Sequence, residues 1–546
     1  MKPGDTIKLN ILNTAPDGRG IGKIDHFVIF VIGACEGDLV LAKILTVHKT
    51  YATAAAVQVL APSPFRQESF CRASSACGGC PLSHIQYEKQ LAIKKQTVTD
   101  ALARIGGFDL QTVEISDALG MDRPFCYRNK MVFPVGQAGG KAVGGFYAPK
   151  SHDIVPLDSC LAGEEAAMQA LSCVVQFLND ECIAPFHEAK KCGTVRRVFV
   201  RTGFHTKALM VVISSFTERI RHLDRLVSAL RETEFAGYCL KSVVLNVNQK
   251  INNLVLGDKN ITLWGSDTIE DELMGLIFSI SPHSFFQVNP VQTQVLYQTA
   301  MSLAELDGTK TVLDVYCGIG TISLCAAKLA KRVIGVEIVK EAVLDAGVNA
   351  ERNNIKNAEF YCGAAEQVVP DLIGRDIRPD VVFLDPPRKG SDEKTLSAIL
   401  SARPERIVYV SCNPATLARD ARYLADGGYR LTRAVPVDMF PHTAHVETVV
   451  LLSKLYPDDR IEVDLDLDEL DITAAESKAT YEEIKAYIRD KYGFKVSSLY
   501  IAQTKTKCGI IERINYNLSK KGTRVPQCPL DKENAIIDAL KYFRMI

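Results

Sequence analysis

The segment from about residue 281 to 455 constrains the fold more than any other part of the chain. Short apolar runs, rich in valine, isoleucine and leucine, alternate there with stretches of helical periodicity. The apolar runs are Thr311–Val315, 332–336, Val381–Leu384 and 407–410. Strands that alternate with helices in this way pair side by side in one sheet, so the pattern predicts an α/β domain with a parallel sheet.

Three further parts are predicted around this domain. Residues 1–60 carry short apolar runs broken by Gly and Asp turns, which is typical of a small, OB-like β-barrel. Residues 61–280 predict a mixed, strand-rich central domain, and its helix at 86–105 is a candidate to pack on the α/β domain. Residues 456–546 predict an acidic linker followed by a small α-rich extension. The fold class is therefore multidomain.

Composition and charge exclude some classes of protein. The chain has 546 residues, 47% of them hydrophobic and 23% charged, with a formal net charge of zero. Any nucleic-acid contact must therefore come from local basic patches rather than from overall charge. We find neither a signal peptide nor a run of ~18 apolar residues, so we expect a cytoplasmic protein without a membrane partner.

A glycine-containing turn follows the strand Thr311–Val315. Asp314 lies near the end of this strand, and Gly318, Gly320 and Thr321 lead into a helix. Glycine lets the backbone approach a ligand closely, and Glu337 at the tip of the next strand suits ribose hydroxyls. This arrangement looks like the S-adenosylmethionine site of class I methyltransferases. A nucleotide-binding or oxidoreductase Rossmann domain is the alternative.

Two later predicted strands are each followed by residues that could take part in catalysis. The first runs into Asp385-Pro386-Pro387-Arg388, where Arg388 replaces the aromatic residue typical of amino-methyltransferases, which argues against amine methylation. Cys412 follows the second strand, at the edge where ligands bind in open α/β sheets. A cysteine taken at random is more often simply buried.

Methylation at carbon 5 of uracil is a reaction that needs such a cysteine. Carbon 5 is a poor nucleophile until a thiolate adds to carbon 6, after which carbon 5 can accept a methyl group. A base must then remove the carbon-5 proton so that the thiolate can leave. We assign Cys412 as the nucleophile and Glu447, which precedes an apolar run, as the base. A structural ion pair is the alternative for Glu447.

Together these motifs resemble the RNA uracil-5-methyltransferase family. The matching segments are 285–289, 314–321, 384–390, 411–414 and 445–450, and the resemblance covers roughly residues 1–455. It implies that Gln287, Tyr316, Glu337 and Asp385 line the pocket for the methyl donor and the target base. It also implies that residues 1–60 form a TRAM barrel, and that His442 and His445 position other groups.

The segment Cys71-x5-Cys77-x2-Cys80 is a compact cysteine cluster with Gly78-Gly79 inside it. Three thiolates need a fourth ligand, and their spacing alone does not separate zinc from iron–sulfur. By resemblance Cys160 is the fourth ligand, and the group is a [4Fe–4S] cluster of the 23S ribosomal-RNA branch. The methyl-transfer chemistry needs no electron, so we expect a structural role for the cluster.

The resemblance also predicts the RNA contacts. It places Arg128, Asn129 and Lys130 near the substrate, with the two cations on phosphates and Asn129 on a base; two solvated charges on a strand are the alternative. The target uridine must leave its stack to reach Cys412. The cysteines favour 23S rRNA over tRNA, and we expect a monomer.

Other functions and the role of the tail stay open. A cytosine-5-methyltransferase would share the thiolate mechanism but lacks the Cys412-to-Glu447 pattern, and a non-catalytic iron–sulfur RNA-binding protein would not need both residues. The tail is acidic at 458–471, predicts a helix at 480–492 and is then basic. It is either a solvated appendix or an accessory RNA or ribosome contact. Its basic residues include Lys491, Lys495, Lys505, Lys507, Lys520, Lys521 and Arg524.

Overall fold

The computed structural model describes residues 1–188, 190–250, 254–455, 480–508, 528–543 and 545–546. The chain divides into two compact units, Met1–Pro457 and Asp458–Ile546. No helix of the described residues is long and apolar enough to cross a membrane.

The N-terminal residues form a six-stranded barrel-like sheet. Its strands are β1 (Thr6–Asn10), β2 (Asn13–Thr14), β3 (Gly20–Ile24), β4 (Phe27–Ile32), β5 (Leu39–Val47) and β6 (Tyr51–Ala61). They are ordered β1-β5-β6-β4-β3-β2, and alternate residues such as Ile29 and Val31 point into an apolar core. The predicted N-terminal barrel is confirmed.

A long helix links this barrel to the α/β domain. Short helix α1 (Ser74–Cys77) precedes α2 (Tyr87–Arg104) and the two-residue strand β7 (Glu114–Ile115). One face of α2, with Val98 and Leu102, packs into the core of the α/β domain. Lys94 on the same helix forms a buried ion pair with Asp438, 344 residues further along the chain.

The central residues form a seven-stranded sheet backed by helices. The elements are β8 (Lys130–Ala138), β9 (Lys141–Tyr147), β10 (Ile154–Pro156), α3 (Glu165–Asp180), β11 (Val195–Thr202), β12 (Ala208–Ser215), α4 (Leu223–Glu232), β13 (Cys239–Val247) and β14 (Lys259–Gly265). The order is β10-β9-β8-β11-β12-β13-β14. A hairpin of β15 (Ile269–Leu273) and β16 (Leu276–Ile280) follows. Alternate residues of β11 face opposite sides: Val198 and Val200 pack toward α3, whereas Phe199 packs toward the α/β domain.

The α/β domain contains an eight-stranded sheet. Its own elements are α5 (Pro290–Ala304), β17 (Thr311–Val315), α6 (Thr321–Ala327), β18 (Arg332–Glu337), α7 (Lys340–Arg352), β19 (Ala358–Cys362), α8 (Ala365–Gly374), β20 (Val381–Leu384), α9 (Glu393–Ala402), β21 (Arg406–Ser411), α10 (Pro414–Asp426), β22 (Tyr429–Val437) and β23 (Glu447–Lys454). The order is β19-β18-β17-β20-β21-β23-β22-β7, so the predicted parallel α/β domain is confirmed.

The strand directions of this sheet bring its functional ends together. Strands β18, β17, β20 and β21 are parallel, so their carboxyl ends lie at one edge. Strand β23 is antiparallel to β21 and therefore begins at that same edge, with Ser411 opposite Thr448. The sequence pattern did not predict this reversal, nor that β7 would add to the sheet beside β22.

The second unit contains three described helices, α11 (Tyr481–Tyr492), α12 (Ser498–Lys507) and α13 (Leu530–Tyr542), around a small apolar core. Helix α11 begins with a capping box between Thr480 and Glu483 and ends at Gly493, as its sequence predicts. The predicted acidic run 458–471 and the basic residues Lys520, Lys521 and Arg524 lie outside the described residues.

Candidate active site

The turn after β17 has the backbone shape that its glycines predicted. Gly318 and Gly320 both have positive φ angles, of 55° and 83°. Tyr316 shares this left-handed conformation (φ 70°) although it has a Cβ, which is costly and is typical of functional sites. The turn directs the Gly318 N–H toward Glu337, whose Oε2 accepts it at 3.2 Å.

Glu337 is fixed at the tip of β18. Its second carboxylate oxygen accepts the Val339 N–H at 2.9 Å, so both oxygens are oriented by backbone donors. Glu337 stands beside the glycine turn at the sheet edge, where a bidentate acceptor binds ribose hydroxyls in related α/β folds.

Two buried carboxyl groups stand at the ends of β17 and β20. Burial raises the pKa of Asp314 and that of Asp385 to about 7 each, and Asp385 raises the pKa of Asp314 further. Asp314 accepts the Ser323 hydroxyl at 2.5 Å through Oδ2, whereas its buried Oδ1 has no partner among the described residues. An unsatisfied buried acceptor of this kind suits a ligand that donates hydrogen bonds.

Cys412 and Glu447 face each other across two neighbouring strand ends. Cys412 directly follows β21 and Glu447 opens β23. Burial raises the pKa of the Cys412 thiol, the Glu447 carboxylate raises it further, and Arg388 lowers it through charge and a hydrogen bond. Burial, with a contribution from Asp385, raises the pKa of Glu447 to about 8. Glu447 is therefore mostly protonated at neutral pH, and a more alkaline pH favours ionisation of both groups.

Arg388 is a site residue whose role the sequence pattern did not predict. Its guanidinium hydrogen-bonds to the Cys412 thiol, and its charge lowers the pKa of both Cys412 and Glu447. Its carbonyl accepts the Asn413 side-chain N–H at 3.1 Å, which ties the two motifs together. The signal was present, because a cation replaces the expected aromatic residue beside a thiol that must ionise.

These groups share one cavity of about 740 Å³. The predicted site residues in its wall are Gln287, Tyr316, Gly318, Thr321, Glu337, Asp385, Cys412 and Glu447. Gly320 lies behind the wall instead, where a Cβ would come within 3.1 Å of the Phe360 ring. The aromatic rings of Phe285 and Phe440 also line the cavity. A volume of this size accommodates a cofactor-sized ligand together with a base.

Comparisons with known proteins agree with this geometry. Residues 252–455 match the family model described as tRNA (Uracil-5-)-methyltransferase, and residues 1–57 match the TRAM domain. A relative from Clostridium tetani named as an uncharacterized RNA methyltransferase is 43% identical over 453 residues, which cover 83% of this chain and 97% of the relative. One from Caldanaerobacter subterraneus subsp. tengcongensis is 44% identical over 455 residues, covering 83% and 99%. The chain belongs to the RNA uracil-5-methyltransferase family.

One solved structure supports the same assignment. The tRNA (uracil-54, C5)-methyltransferase of Pyrococcus abyssi, in complex with S-adenosyl-L-homocysteine, is 28% identical to this chain. It matches with a TM-score of 0.65 over 82% of this chain and 100% of that structure. The present RNA methyltransferase therefore uses S-adenosylmethionine as its methyl donor, and its N-terminal barrel is a TRAM domain.

Residues 438–446 form a loop that leads into Glu447, the candidate base, and we call this segment the catalytic loop. His442 in this loop is buried with a positive φ, and burial lowers its pKa to about 4, so the ring is neutral. Its backbone N–H donates to Gln90 Oε1 at 3.1 Å, and its ring stacks on Phe125. His445 lies edge-on to the Phe440 ring, and burial lowers its pKa too. These contacts hold the loop, which is a positioning role.

The structure places the three predicted RNA-binding residues in different surroundings. Arg128 lies 5.7 Å from the centre of the Phe440 ring, and Lys130 lies 6.0 Å from that of the Phe285 ring. Both rings line the cavity. Asn129 is buried instead, and its side-chain N–H donates to the Gln287 carbonyl at 2.9 Å. We therefore revise the role of Asn129 from base contact to support of Gln287, because a buried amide with a protein partner is not exposed to RNA.

The four predicted cluster cysteines, which we call the thiol cluster, are Cys71, Cys77, Cys80 and Cys160. Burial and the charges of the other three thiols together raise the pKa of Cys80 to about 12, so all four interact electrostatically. Among the described residues, no group of three His, Cys, Asp or Glu side chains is arranged to hold a metal ion. The iron–sulfur assignment therefore stays a prediction.

Proposed function

We propose that this methyltransferase transfers a methyl group to carbon 5 of a uridine in 23S rRNA, through a covalent adduct between Cys412 and carbon 6 of the base. The observation that carries the proposal is the meeting of Cys412 and Glu447 at adjacent strand ends, inside the cavity that also holds Glu337 and the glycine turn. A nucleophile and a base that face one pocket are the two groups this chemistry requires.

The proposed reaction begins when the Cys412 thiolate attacks carbon 6 and makes carbon 5 nucleophilic. Arg388 favours the thiolate by its charge and its hydrogen bond. Carbon 5 then attacks the methyl carbon of S-adenosylmethionine, the sulfur–methyl bond breaks, and S-adenosylhomocysteine leaves with the electron pair of that bond. Glu447 in its ionised form removes the carbon-5 proton, the double bond re-forms, and the Cys412 thiolate leaves.

We further propose that the thiol cluster binds a [4Fe–4S] cluster. Its members supply four thiol ligands and no competing acid. Backbone N–H groups of Gly79, Ala162 and Gly163 donate to the sulfurs of Cys77 and Cys160, which stabilises thiolates. None of the four cysteines lines the cavity, so the bound cluster would supply a structural cross-link rather than chemistry on the base.

A tRNA substrate is the second candidate. The matching family model and the solved Pyrococcus structure both carry names that refer to tRNA. The predicted cluster cysteines are what favour 23S rRNA in our proposal. In either case the residues that line the pocket all belong to the α/β domain, 281–455.

The test uses anaerobically purified full-length protein, S-adenosylmethionine and RNA with tritium at uracil carbon 5. Fragments of 23S rRNA are compared with tRNA transcripts. Release of tritium to water from 23S rRNA, abolished in Cys412→Ala, is the expected result. Release from tRNA alone would replace the substrate and keep the chemistry. No release from either RNA, despite measured donor binding, would overturn the uracil-5 assignment.

A further inference from the structure

A buried carboxylate outside the catalytic cavity connects three elements of the α/β domain. Asp420 lies on α10, is 1% exposed and does not line the cavity. Its Oδ2 accepts the Tyr409 hydroxyl at 2.6 Å and the Ser391 backbone N–H at 2.8 Å, and its Oδ1 accepts the Arg419 Nε–H at 2.7 Å. A buried carboxylate is tolerated when both oxygens have donors. Tyr409 belongs to β21 and Ser391 to the loop between β20 and α9, so Asp420 ties both of them to the helix.

The loop that ends at Ser391, residues 385–391, carries Arg388, and we call it the Arg388 loop. Its backbone is bound by a second side chain of α10. Arg419 Nη2 donates to the carbonyls of Lys389 and Ser391, at 3.1 and 3.2 Å. The buried carboxylate fixes the direction of this guanidinium through their ion pair. The loop therefore takes its shape from side chains of the helix.

The glycine of the Arg388 loop shows how closely the loop approaches α10. Gly390 has a φ of 79°, and a Cβ there would lie 2.5 Å from Asp420 Oδ2 and 2.6 Å from Arg419 Nη2. Glycine is the residue that allows both this backbone conformation and this approach. The position of the loop and that of the carboxylate therefore depend on each other.

The same helix also bears on the nucleophile. Helix α10 begins two residues after Cys412, and its N-cap side chain donates to the Arg388 carbonyl at 3.1 Å. The charges that chiefly act on the pKa of Cys412 are those of Glu447, Arg388 and Asp385. Asp420 is not among them, so its influence on the thiol must pass through the position of Arg388.

We propose that Asp420 is a positioning residue that sets the Arg388 guanidinium beside the Cys412 thiol. Asp420 fixes the end of the Arg388 loop at Ser391 and orients Arg419, which holds the loop carbonyls. Asparagine cannot replace this carboxylate, because its NH₂ group would face a donor on one side or the other. The role rests on the proposed function, since it concerns the ionisation of the proposed nucleophile.

The test measures the pH dependence of Cys412 alkylation by iodoacetamide in the full-length protein without RNA. The Cys412 peptide is quantified by mass spectrometry after short pulses between pH 7 and pH 11, because the thiolate is the form that reacts. Loss of a neighbouring cation raises the pKa of an acidic group by about one unit or more. We therefore expect Asp420→Asn to shift the profile upward by about one pH unit. Arg388→Gln should shift it at least as far, and the double variant should shift no further than Arg388→Gln.

Two further variants separate positioning from general damage to the fold. Asp426→Asn removes an exposed carboxylate from the same helix, one that pairs with Arg422, and should keep the wild-type profile. Arg419→Gln removes the bonds to the loop carbonyls and leaves Asp420 in place. Its side chain is 54% exposed, so this variant should fold even if Asp420→Asn does not, and it should shift the profile in the same direction by less. Melting temperatures identify any variant that is unfolded.

Other outcomes overturn the positioning role. An unshifted profile in folded Asp420→Asn, or in Arg419→Gln where Asp420→Asn is unfolded, would show that the loop does not need this carboxylate. A further shift in the double variant would mean that Asp420 reaches the thiol by a route other than Arg388. Absence of tritium release in the wild type would instead sink the proposed reaction, while the alkylation profiles still decide whether Asp420 acts through Arg388.

Discussion

The catalytic cavity and the thiol cluster both depend on cysteine, but they differ in how much of each site the chain builds by itself. In the cavity, the thiol of Cys412 stands at a strand end beside Glu447, the proposed base, and the Arg388 cation. In the thiol cluster, the other three thiols contribute to the raised pKa of Cys80, and no group of the described residues is arranged to hold a metal. A nucleophile needs only protein groups, whereas a four-thiolate site acquires its geometry together with its metal.

The two regions are connected through the catalytic loop. The backbone N–H of Leu82, two residues after Cys80, donates to the His442 carbonyl at 3.1 Å. Gln90 bonds to the Leu82 carbonyl and to His442. The thiol cluster therefore borders the loop that carries Glu447 without entering the cavity. This difference predicts large effects for changes in the cavity and small ones for changes in the cluster.

The largest effect is expected for Cys412→Ala. Loss of the covalent nucleophile should lower single-turnover tritium release by ~10⁴-fold or more. The other thiol in the pocket wall, Cys317, is buried, and the charges that act on it are those of Asp314 and Glu337 rather than Glu447. Binding of S-adenosylhomocysteine, measured by calorimetry, should be unchanged because Glu337 and the glycine turn remain. Cys239→Ala, at an exposed position on β13, is the control. Residual activity near the wild-type level would assign the nucleophile elsewhere.

The next largest effect on turnover is expected for Glu447→Gln. Without the base, the carbon-5 proton stays on the methylated adduct, so turnover should fall by ~10³-fold and a covalent protein–RNA species should accumulate on denaturing gels. Absence of that species alongside normal turnover would contradict the role of Glu447.

The same variant also tests the burial of this carboxyl group. Its pKa is about 8 in the folded protein and near 4.5 when exposed, so the wild type loses stability as pH rises from about 4.5 to about 8. Glu447→Gln does not titrate. Its melting temperature should therefore exceed that of the wild type at pH 8, and the difference should shrink toward pH 5.

Several parts of this comparison were predictable from the sequence and others were not. The positions of Cys412 and Glu447 at strand ends were predictable, because an apolar strand fixes where the residue at its end must lie. The Lys94–Asp438 ion pair was not, since it joins residues 344 positions apart. Asn129 was assigned to RNA by resemblance, and only the structure shows that it is buried and donates to the Gln287 carbonyl. Cysteine spacing indicated the members of the thiol cluster but not their arrangement.

The pH dependence of catalysis should show a moderate effect. Glu447 must be ionised to act as the base, and its pKa of about 8 implies that kcat/KM rises ~tenfold between pH 7 and pH 9. Ionisation of Cys412, whose pKa is raised above its usual value of 9.0, acts in the same direction. Donor affinity measured across the same range is the control. A flat profile would mean that neither group gates the reaction in its deprotonated form.

The smallest effect on turnover is expected for Cys80→Ser, although this variant should lose its bound iron completely. Anaerobically purified wild type should contain iron and sulfide that this variant lacks, because serine does not replace a thiolate ligand. Turnover should fall only ~tenfold, since the change reaches the cavity through Leu82 and His442 as a small displacement of the catalytic loop. Cys182→Ser, at an exposed position, should match the wild type in both measurements.

If Cys80→Ser lost as much activity as Cys412→Ala, the thiol cluster would take part in the chemistry, and the separation between the two regions would fail. If it kept its iron, Cys80 would not be a ligand, while the assignment of Cys412 and Glu447 would stand unaffected.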